Sequence, residues 1–139
     1  MIHAVIDTNV LVSAFITKRL DSATAIVWAA VLNGDIIPMY SEEIIDEYTD
    51  VLHRKKFNIP EQLIKDAINH IKENGVRGER VLSDDFFPDP KDVVFYEVAI
   101  SKDDAYLVTG NTKHFPKKPI VVTPAEMLEI LKAESKSKQ

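Results

Sequence analysis

The alternation of short apolar segments with segments of helical periodicity is the feature that most constrains the fold of this chain. Patterns typical of strands lie at residues 2–6, 35–39, 79–82, 106–109 and 120–122. Patterns typical of helices lie between or after them, at residues 9–16, 22–33, 42–53, 60–73, 91–101 and 124–132. Strands that alternate with helices form right-handed βαβ crossovers. The pattern therefore predicts an α/β fold in which helices cover both faces of a parallel sheet of about five strands.

Helix-boundary signals support these assignments. Ser41 can cap a helix whose first turn is acidic, where the helix dipole favours negative charge. Asp89 and Pro90 are typical of a cap followed by proline at the first helical position. Thr123 and Glu126 have the spacing of a capping box, which predicts the start of the final helix.

Length and composition indicate a soluble globular protein. The 139 residues predict one domain over residues 1–133 and a flexible polar tail over residues 134–139. The absence of cysteine excludes disulfides and thiolate metal ligands. The longest apolar run, residues 25–32, is too short to span a bilayer, and the N-terminal segment lacks a signal-peptide pattern. We therefore expect a cytoplasmic protein with no membrane partner.

The formal net charge of −5 excludes a uniformly basic surface that follows nucleic-acid phosphates. It does not exclude a nucleic-acid partner. Carboxylates that hold divalent cations invert their local field once the cations are bound, so an acidic protein can act on an acidic polymer.

Two acidic residues have positions that suit a site at the sheet edge. Asp7 directly follows the first strand, where open α/β sheets bind ligands, although it could instead cap the helix that begins near Asn9. Helical periodicity places Glu47 at the border of an apolar helix face, beside Val51. A glutamate at such a border can lean toward the sheet edge or extend into solvent.

A third acid, Asp92, lies in the first turn of a helix that is apolar nearly all round, with Glu97 and Ser101 marking its one polar side. Asp92 lies roughly opposite that side, so we expect it to face the protein interior. A carboxylate in such a place needs a partner or a cation. The alternative is that Asp92 bonds back toward a cap at Asp89.

Polar residues also follow the fourth predicted strand. Thr109 and Asn111 could orient a carboxylate or bond a metal-bound water, or could simply form a turn around Gly110. Oxygen ligands of these types suit Mg²⁺ or Mn²⁺. Such an ion can polarise a phosphoryl oxygen and deliver a deprotonated water, which is the chemistry of phosphodiester hydrolysis.

Four sequence segments occur in an order that resembles the PIN-domain family, and within it the toxin-component branch related to VapC. The segments are Asp7–Val10, Ser41–Arg54, Asp89–Asp92 and Ala105–Asn111, so the resemblance covers essentially the whole chain. It implies a Rossmann-like, three-layer α/β/α sandwich with a metal-dependent ribonuclease site that holds one or two Mg²⁺ or Mn²⁺ ions.

By this resemblance, Asp7, Glu47 and Asp92 match the three acidic metal-site positions of the family. Asn111 falls where many members have a fourth aspartate, which leaves the second ion in doubt. Asn9 matches a position that supports the site by hydrogen bonding, and we expect Thr109 to support it as well.

The function predicted from these observations is hydrolysis of RNA by an endoribonuclease, with Arg54 and Lys113 as candidates for binding RNA phosphates. The resemblance adds the expectation of a cognate antitoxin and of a homodimer. The alternative is a catalytically weakened PIN-fold scaffold or RNA-binding module, which the asparagine at position 111 favours. A phospho-acceptor receiver or an aspartyl-phosphate phosphatase is disfavoured, because Asn9 stands where the phosphatase needs an acid and the receiver's paired acids are missing.

Overall fold

The computed structural model of the chain describes residues 1–137. Within them, one sheet contains five parallel strands in the order β3-β2-β1-β4-β5. The strands are β1 (Ile2–Ile6), β2 (Ile36–Tyr40), β3 (Val76–Arg77), β4 (Tyr106–Val108) and β5 (Val121–Val122). The α-helices are α1 (Thr8–Ile16), α2 (Ala23–Asn33), α3 (Glu42–Leu52), α4 (Glu61–Asn74), α5 (Val93–Ala99) and α6 (Pro124–Ser137). The expected α/β fold with a five-stranded parallel sheet is confirmed.

The strand order places a topological switch point at the centre of the sheet. From β1 the chain moves outward to β2 and β3, and then returns past both strands to β4 and β5. Right-handed crossovers that move in opposite directions lie on opposite faces, which puts α5 on the face opposite the earlier helices. Open α/β sheets bind ligands at the carboxyl ends of the strands beside such a switch point, here β1 and β4.

The core is continuous across β1 and its neighbours. Ala4, Val5 and Ile6 are buried, and Ile6 pairs with Val108 on β4. Helix α5 packs against β1, β2 and β4. Five consecutive residues of α5 are buried, so this short helix is surrounded by protein on every side.

The third strand lies earlier in the chain than expected. The pattern at residues 79–82 predicts a strand, whereas β3 is Val76–Arg77 and residues 79–82 are irregular. Helix α4 ends at Gly75, where an added Cβ would lie 2.3 Å from the carbonyl oxygen of Ile71 and 2.4 Å from that of Pro38. This close approach brings the chain into the sheet immediately after α4, because only glycine fits there.

The expectation that Glu97 marks a solvent-facing side of α5 is wrong, since its side chain is only 3% exposed. Its carboxylate accepts hydrogen bonds from Arg80 Nε at 2.8 Å and from the backbone N–H of Ser83 at 2.7 Å. The irregular segment at residues 78–89 therefore crosses α5 and covers the glutamate. Helical periodicity alone could not reveal this covering segment.

The last helix is longer than its sequence pattern indicates. Helix α6 runs to Ser137, so residues 134–137 of the expected tail are helical, and residues 138–139 lie outside the described part of the chain. The N-terminal ammonium lies 2.6 Å from the carboxylate of Glu134, which joins the two ends of the domain. None of the helices found in residues 1–137 has the length and apolar character needed to cross a membrane.

Candidate functional site

A cleft opens at the carboxyl ends of β1 and β4, and Asp7 lies at its base. The backbone N–H of Asp7 donates to Val108 O at 2.9 Å, which extends the pairing of the two strands. Thr109 Oγ1 donates a hydrogen bond to Asp7 Oδ2 at 2.7 Å. Both side chains are buried. Asp7 precedes α1 but its side chain makes no capping hydrogen bond, so the capping alternative is not supported.

Glu47 and Asp92 line the same cleft as Asp7. Burial raises the pKa of Asp7 from 3.8 to about 6, and the negative charges of Asp92 and Glu47 add to this increase. The hydrogen bond from Thr109 acts in the opposite direction, since it stabilises the carboxylate. The fold therefore brings together three acids that are far apart in the sequence.

Tyr48 connects helix α3 to the end of β1. This tyrosine is buried, and its hydroxyl donates a hydrogen bond to the carbonyl oxygen of Ile6. Its ring also lies 6.3 Å from that of Phe95 on α5. Glu47 precedes Tyr48 on α3. The hydrogen bond from Tyr48 to Ile6 therefore fixes the position of Glu47 relative to the end of β1. In the sequence, helical periodicity identifies Tyr48 only as one residue of the apolar face of this helix.

Asp92 is positioned by the short 3-10 turn Pro90–Asp92 that precedes α5. Asp89 caps this turn, since its side chain accepts from the backbone N–H of Lys91 at 3.0 Å. The carboxylate of Asp92 makes no capping bond and is 18% exposed. Burial raises its pKa, and the charges of Asp89 and Glu47 add to the effect, whereas His114 opposes it.

Two side-chain oxygens at this edge of the sheet are buried without a hydrogen-bond partner. Within the described residues they are Asp92 Oδ2 and Thr8 Oγ1. His114 Nδ1 lies 3.4 Å from Asp92 Oδ2, which is an ion pair only when the imidazole is protonated. A buried carboxylate oxygen without a donor is costly, and a cation would satisfy it.

The ligand atoms of the cleft suit a hard divalent cation, because Asp7, Glu47 and Asp92 offer carboxylate oxygens. Asp92 Oδ2 also lacks a hydrogen-bond partner. However, these side chains do not already form an ion-binding site. Among residues 1–137, no three side chains of the ligand-forming types His, Cys, Asp and Glu are grouped closely enough to hold an ion. The expected convergence on one ion would thus require movement of the side chains.

Asn111, Asn9 and Thr109 lie around the acids, and each makes a hydrogen bond within or to the loop after β4. The backbone N–H of Asn111 donates to Thr109 Oγ1 at 3.0 Å, while Asn9 Oδ1 accepts from the backbone N–H of Gly110 at 3.5 Å. Both asparagines line the cleft, and the side chain of Asn111 is exposed. These bonds fix the loop after β4 against the start of α1.

The two residues predicted to bind phosphate, Arg54 and Lys113, lie in different depressions of the structure. Arg54 lines the cleft, and its Nη2 lies 3.4 Å from Asp50 Oδ2. Lys113 does not line the cleft but a neighbouring depression. Lys91 and His114 also line the cleft. His114 belongs to the basic segment after Asn111, whereas nothing in the local sequence distinguishes Lys91 from a surface residue.

The wall of the cleft next to the acids is apolar. It is formed by Val12, Ile16, Val51, Phe57 and Phe95. Such a wall can accommodate flat, weakly polar groups of a ligand, whereas the acids at the base would attract a cation.

A model of the PIN-domain family matches residues 3–113, which include all three acids and Asn111. The chain belongs to the PIN-domain family. Comparisons with curated proteins and with solved structures gave no match. PIN domains are generally nucleases, that is, hydrolases that act on nucleic acid. The cleft of this PIN domain is therefore a candidate nuclease site.

Proposed function

We propose that this PIN domain is a divalent-metal-dependent endoribonuclease that hydrolyses RNA phosphodiesters. The observation that carries the proposal is the buried carboxylate of Asp7, which shares its cleft with Glu47 and with Asp92, whose Oδ2 has no hydrogen-bond partner. Acids gathered at the switch point of an α/β sheet are typical of a functional site, and burial raises the pKa of two of them, Asp7 and Asp92.

Asp7, Glu47 and Asp92 would hold Mg²⁺ or Mn²⁺, and Asn111 is a weaker candidate ligand. When bound, such an ion supplies a deprotonated water and polarises the phosphoryl group. The hydrogen bond from Thr109 orients Asp7 and favours its ionised form, which partly offsets the effect of burial on its pKa. Asn9 holds the loop that carries Asn111. One carboxylate would also orient the attacking water, so that an in-line attack leaves a 5′-phosphate and a 3′-hydroxyl.

The remaining cleft residues would hold the RNA strand. Arg54 exchanges its exposed pair with Asp50 for a phosphate at little cost, because surface ion pairs contribute little stability. Lys56 Nζ lies over the ring of Phe57, 5.1 Å from its centre. If this lysine moved aside, the ring could stack on an unpaired base, and such stacking contributes about 1–3 kcal/mol per base.

We further propose that this domain is the toxin component of a toxin–antitoxin pair, with a cognate antitoxin as partner and a homodimer as its assembled form. This rests on the resemblance of the segments around Asp7 and Val108 to the branch related to VapC.

A catalytically weakened scaffold or RNA-binding module is the second candidate function. Asn111 supplies no charge at the fourth position, and no ion-binding group of three side chains is preformed within residues 1–137. The two candidates differ in whether a divalent ion binds through Asp7.

RNA cleavage by the purified protein tests the proposed function. Purified protein should cleave RNA only with Mg²⁺ or Mn²⁺, and Asp92→Asn should lower the rate by more than about 100-fold. Even outer-sphere partners of metal sites contribute 10–100-fold, and Asp92 is proposed as a direct ligand. Asp46→Asn, an exposed acid on α3, is the matched control and should keep full activity. Equal rates for Asp92→Asn and the control would contradict the proposed role of Asp92.

A further inference from the structure

A second depression lies directly beside the acidic cleft and is rich in lysine. It is formed by the loop at residues 112–119 and strand β5. Lys113, Lys117 and Lys118 line it, and its base includes the buried residues Phe115 and Val122. All three lysines are exposed.

The two depressions share one rim, the 3-10 turn Thr112–His114. His114 and the preceding Asn111 line the cleft, whereas Thr112 and Lys113 line the second depression. A linear polymer that leaves the cleft over this turn would therefore pass the three lysines.

These lysines are unpaired. Within residues 1–137, no ion pair involves Lys113, Lys117 or Lys118. In contrast, each of the four arginines lies within 3.4 Å of a carboxylate oxygen. Glu126 also lines the depression, but its carboxylate accepts a hydrogen bond from the backbone N–H of Thr123 at 2.9 Å. The result is a locally positive surface on a chain whose net charge is −5.

We propose that Lys113, Lys117 and Lys118 bind the backbone phosphates of the RNA strand that occupies the cleft. The inference rests on the proposed function and adds to it a binding surface outside the metal site. The acids of the cleft repel a phosphate backbone until a cation is bound, so attraction of the polymer must come from elsewhere on the protein. Lysines without partners supply that attraction without breaking any ion pair.

The test measures binding separately from cleavage. Binding of a fluorescent single-stranded RNA, long enough to span both depressions, is followed by anisotropy in a chelator, where no cleavage occurs. The variant Lys113→Gln/Lys117→Gln/Lys118→Gln is compared with Lys65→Gln/Lys72→Gln/Lys102→Gln. The second variant loses the same charge on α4 and in the loop before β4.

We expect the first variant to bind about tenfold more weakly and the control variant to bind like the wild type. The slope of log affinity against log salt should shrink by about 2, because each phosphate contact to a single strand contributes about 0.7. If the first variant kept the wild-type affinity and the wild-type salt dependence, the proposal would be overturned. The same result is expected if these lysines bind an acidic protein instead of RNA. Equal losses in both variants would overturn it too, since they would reflect net charge alone.

Cleavage distinguishes this inference from the proposed function. If the wild type binds RNA through the lysines but does not cleave it with Mg²⁺ or Mn²⁺, the nuclease proposal fails and the binding surface remains. If it cleaves and the lysine variant has an unchanged KM for the long RNA, the nuclease proposal stands and this inference fails.

Discussion

At the scale of single residues, the fold holds the carboxylate of Asp7 at an electrostatic cost. Its pKa is raised to about 6 by burial and by the charges of Asp92 and Glu47. The folded state therefore binds the Asp7 proton more tightly than the unfolded chain does. The contribution of Asp7 to stability is therefore greatest below pH 3.8, the ordinary pKa of this group. That contribution is lost as the pH rises through about 6.

The variant Asp7→Asn should therefore stabilise the ion-free protein. Removing the charge should raise the free energy of unfolding by up to about 3 kcal/mol at about pH 8, where Asp7 is ionised in both states. The gain should disappear near pH 4, where the folded-state carboxyl group is already protonated. Urea unfolding of both proteins in a chelator checks this. A loss of stability of the same size at both pH values would show that Asp7 is simply a packing residue.

Tyr48 acts at the same scale through one hydrogen bond. Tyr48→Phe leaves the carbonyl oxygen of Ile6 buried without this donor, so we expect a loss of about 1–3 kcal/mol in unfolding free energy. Metal-dependent cleavage should also fall, because α3 carries Glu47. The control is Tyr40→Phe, whose hydroxyl makes only a 3.5 Å contact with Lys72 O, and which should change stability by less than about 0.5 kcal/mol. If urea unfolding gave the same stability for the two variants, the proposed stabilising role of the Tyr48 hydrogen bond would be contradicted.

At the scale of elements, the sequence indicated most of the helices and strands because their apolar periodicity and caps are local. Strand β3 could not be predicted, since it has two exposed residues and exists because Gly75 permits a close approach to β2. The burial of Glu97 depends on a segment that crosses α5 from outside the helix. The positions of Asp7 and Asp92 at the edge of the sheet could be predicted from their neighbours in the sequence, whereas Tyr48 acts on a carbonyl 42 residues away in the chain.

The ion pair between Arg80 and Glu97 is one of the contacts that hold the segment at residues 78–89 onto α5. Arg80→Met should leave the buried carboxylate with only the Ser83 N–H as donor, at a cost of about 1–3 kcal/mol. Leu82 and Phe86 are already exposed. Local opening should let the backbone at these residues enter the chymotrypsin site more readily, so cleavage there should be faster than in the wild type. Arg77→Met, which removes only an exposed 3.4 Å pair with Glu42, is the control. Unchanged cleavage in Arg80→Met would show that other contacts hold the segment.

At the scale of the whole molecule, ion binding and folding are coupled if the cleft holds a metal. Mn²⁺ at 100 times its dissociation constant should stabilise the wild type by about 2.7 kcal/mol, visible as an increase in Tm. The increase should be absent in Asp7→Asn and retained in Asp46→Asn. An equal Tm increase in all three proteins would mean that the ion binds elsewhere, and no increase in any would favour the scaffold alternative.

The two outermost strands of the sheet, β3 and β5, contain only two residues each. An edge strand this short offers another chain very few backbone groups for pairing. Extension of the sheet by a second chain and fibril-like stacking are therefore both disfavoured. Two copies of this PIN domain that associate must therefore meet through helices or loops. Substitutions on helix surfaces, rather than changes at the strand edges, are the ones that would separate such a pair.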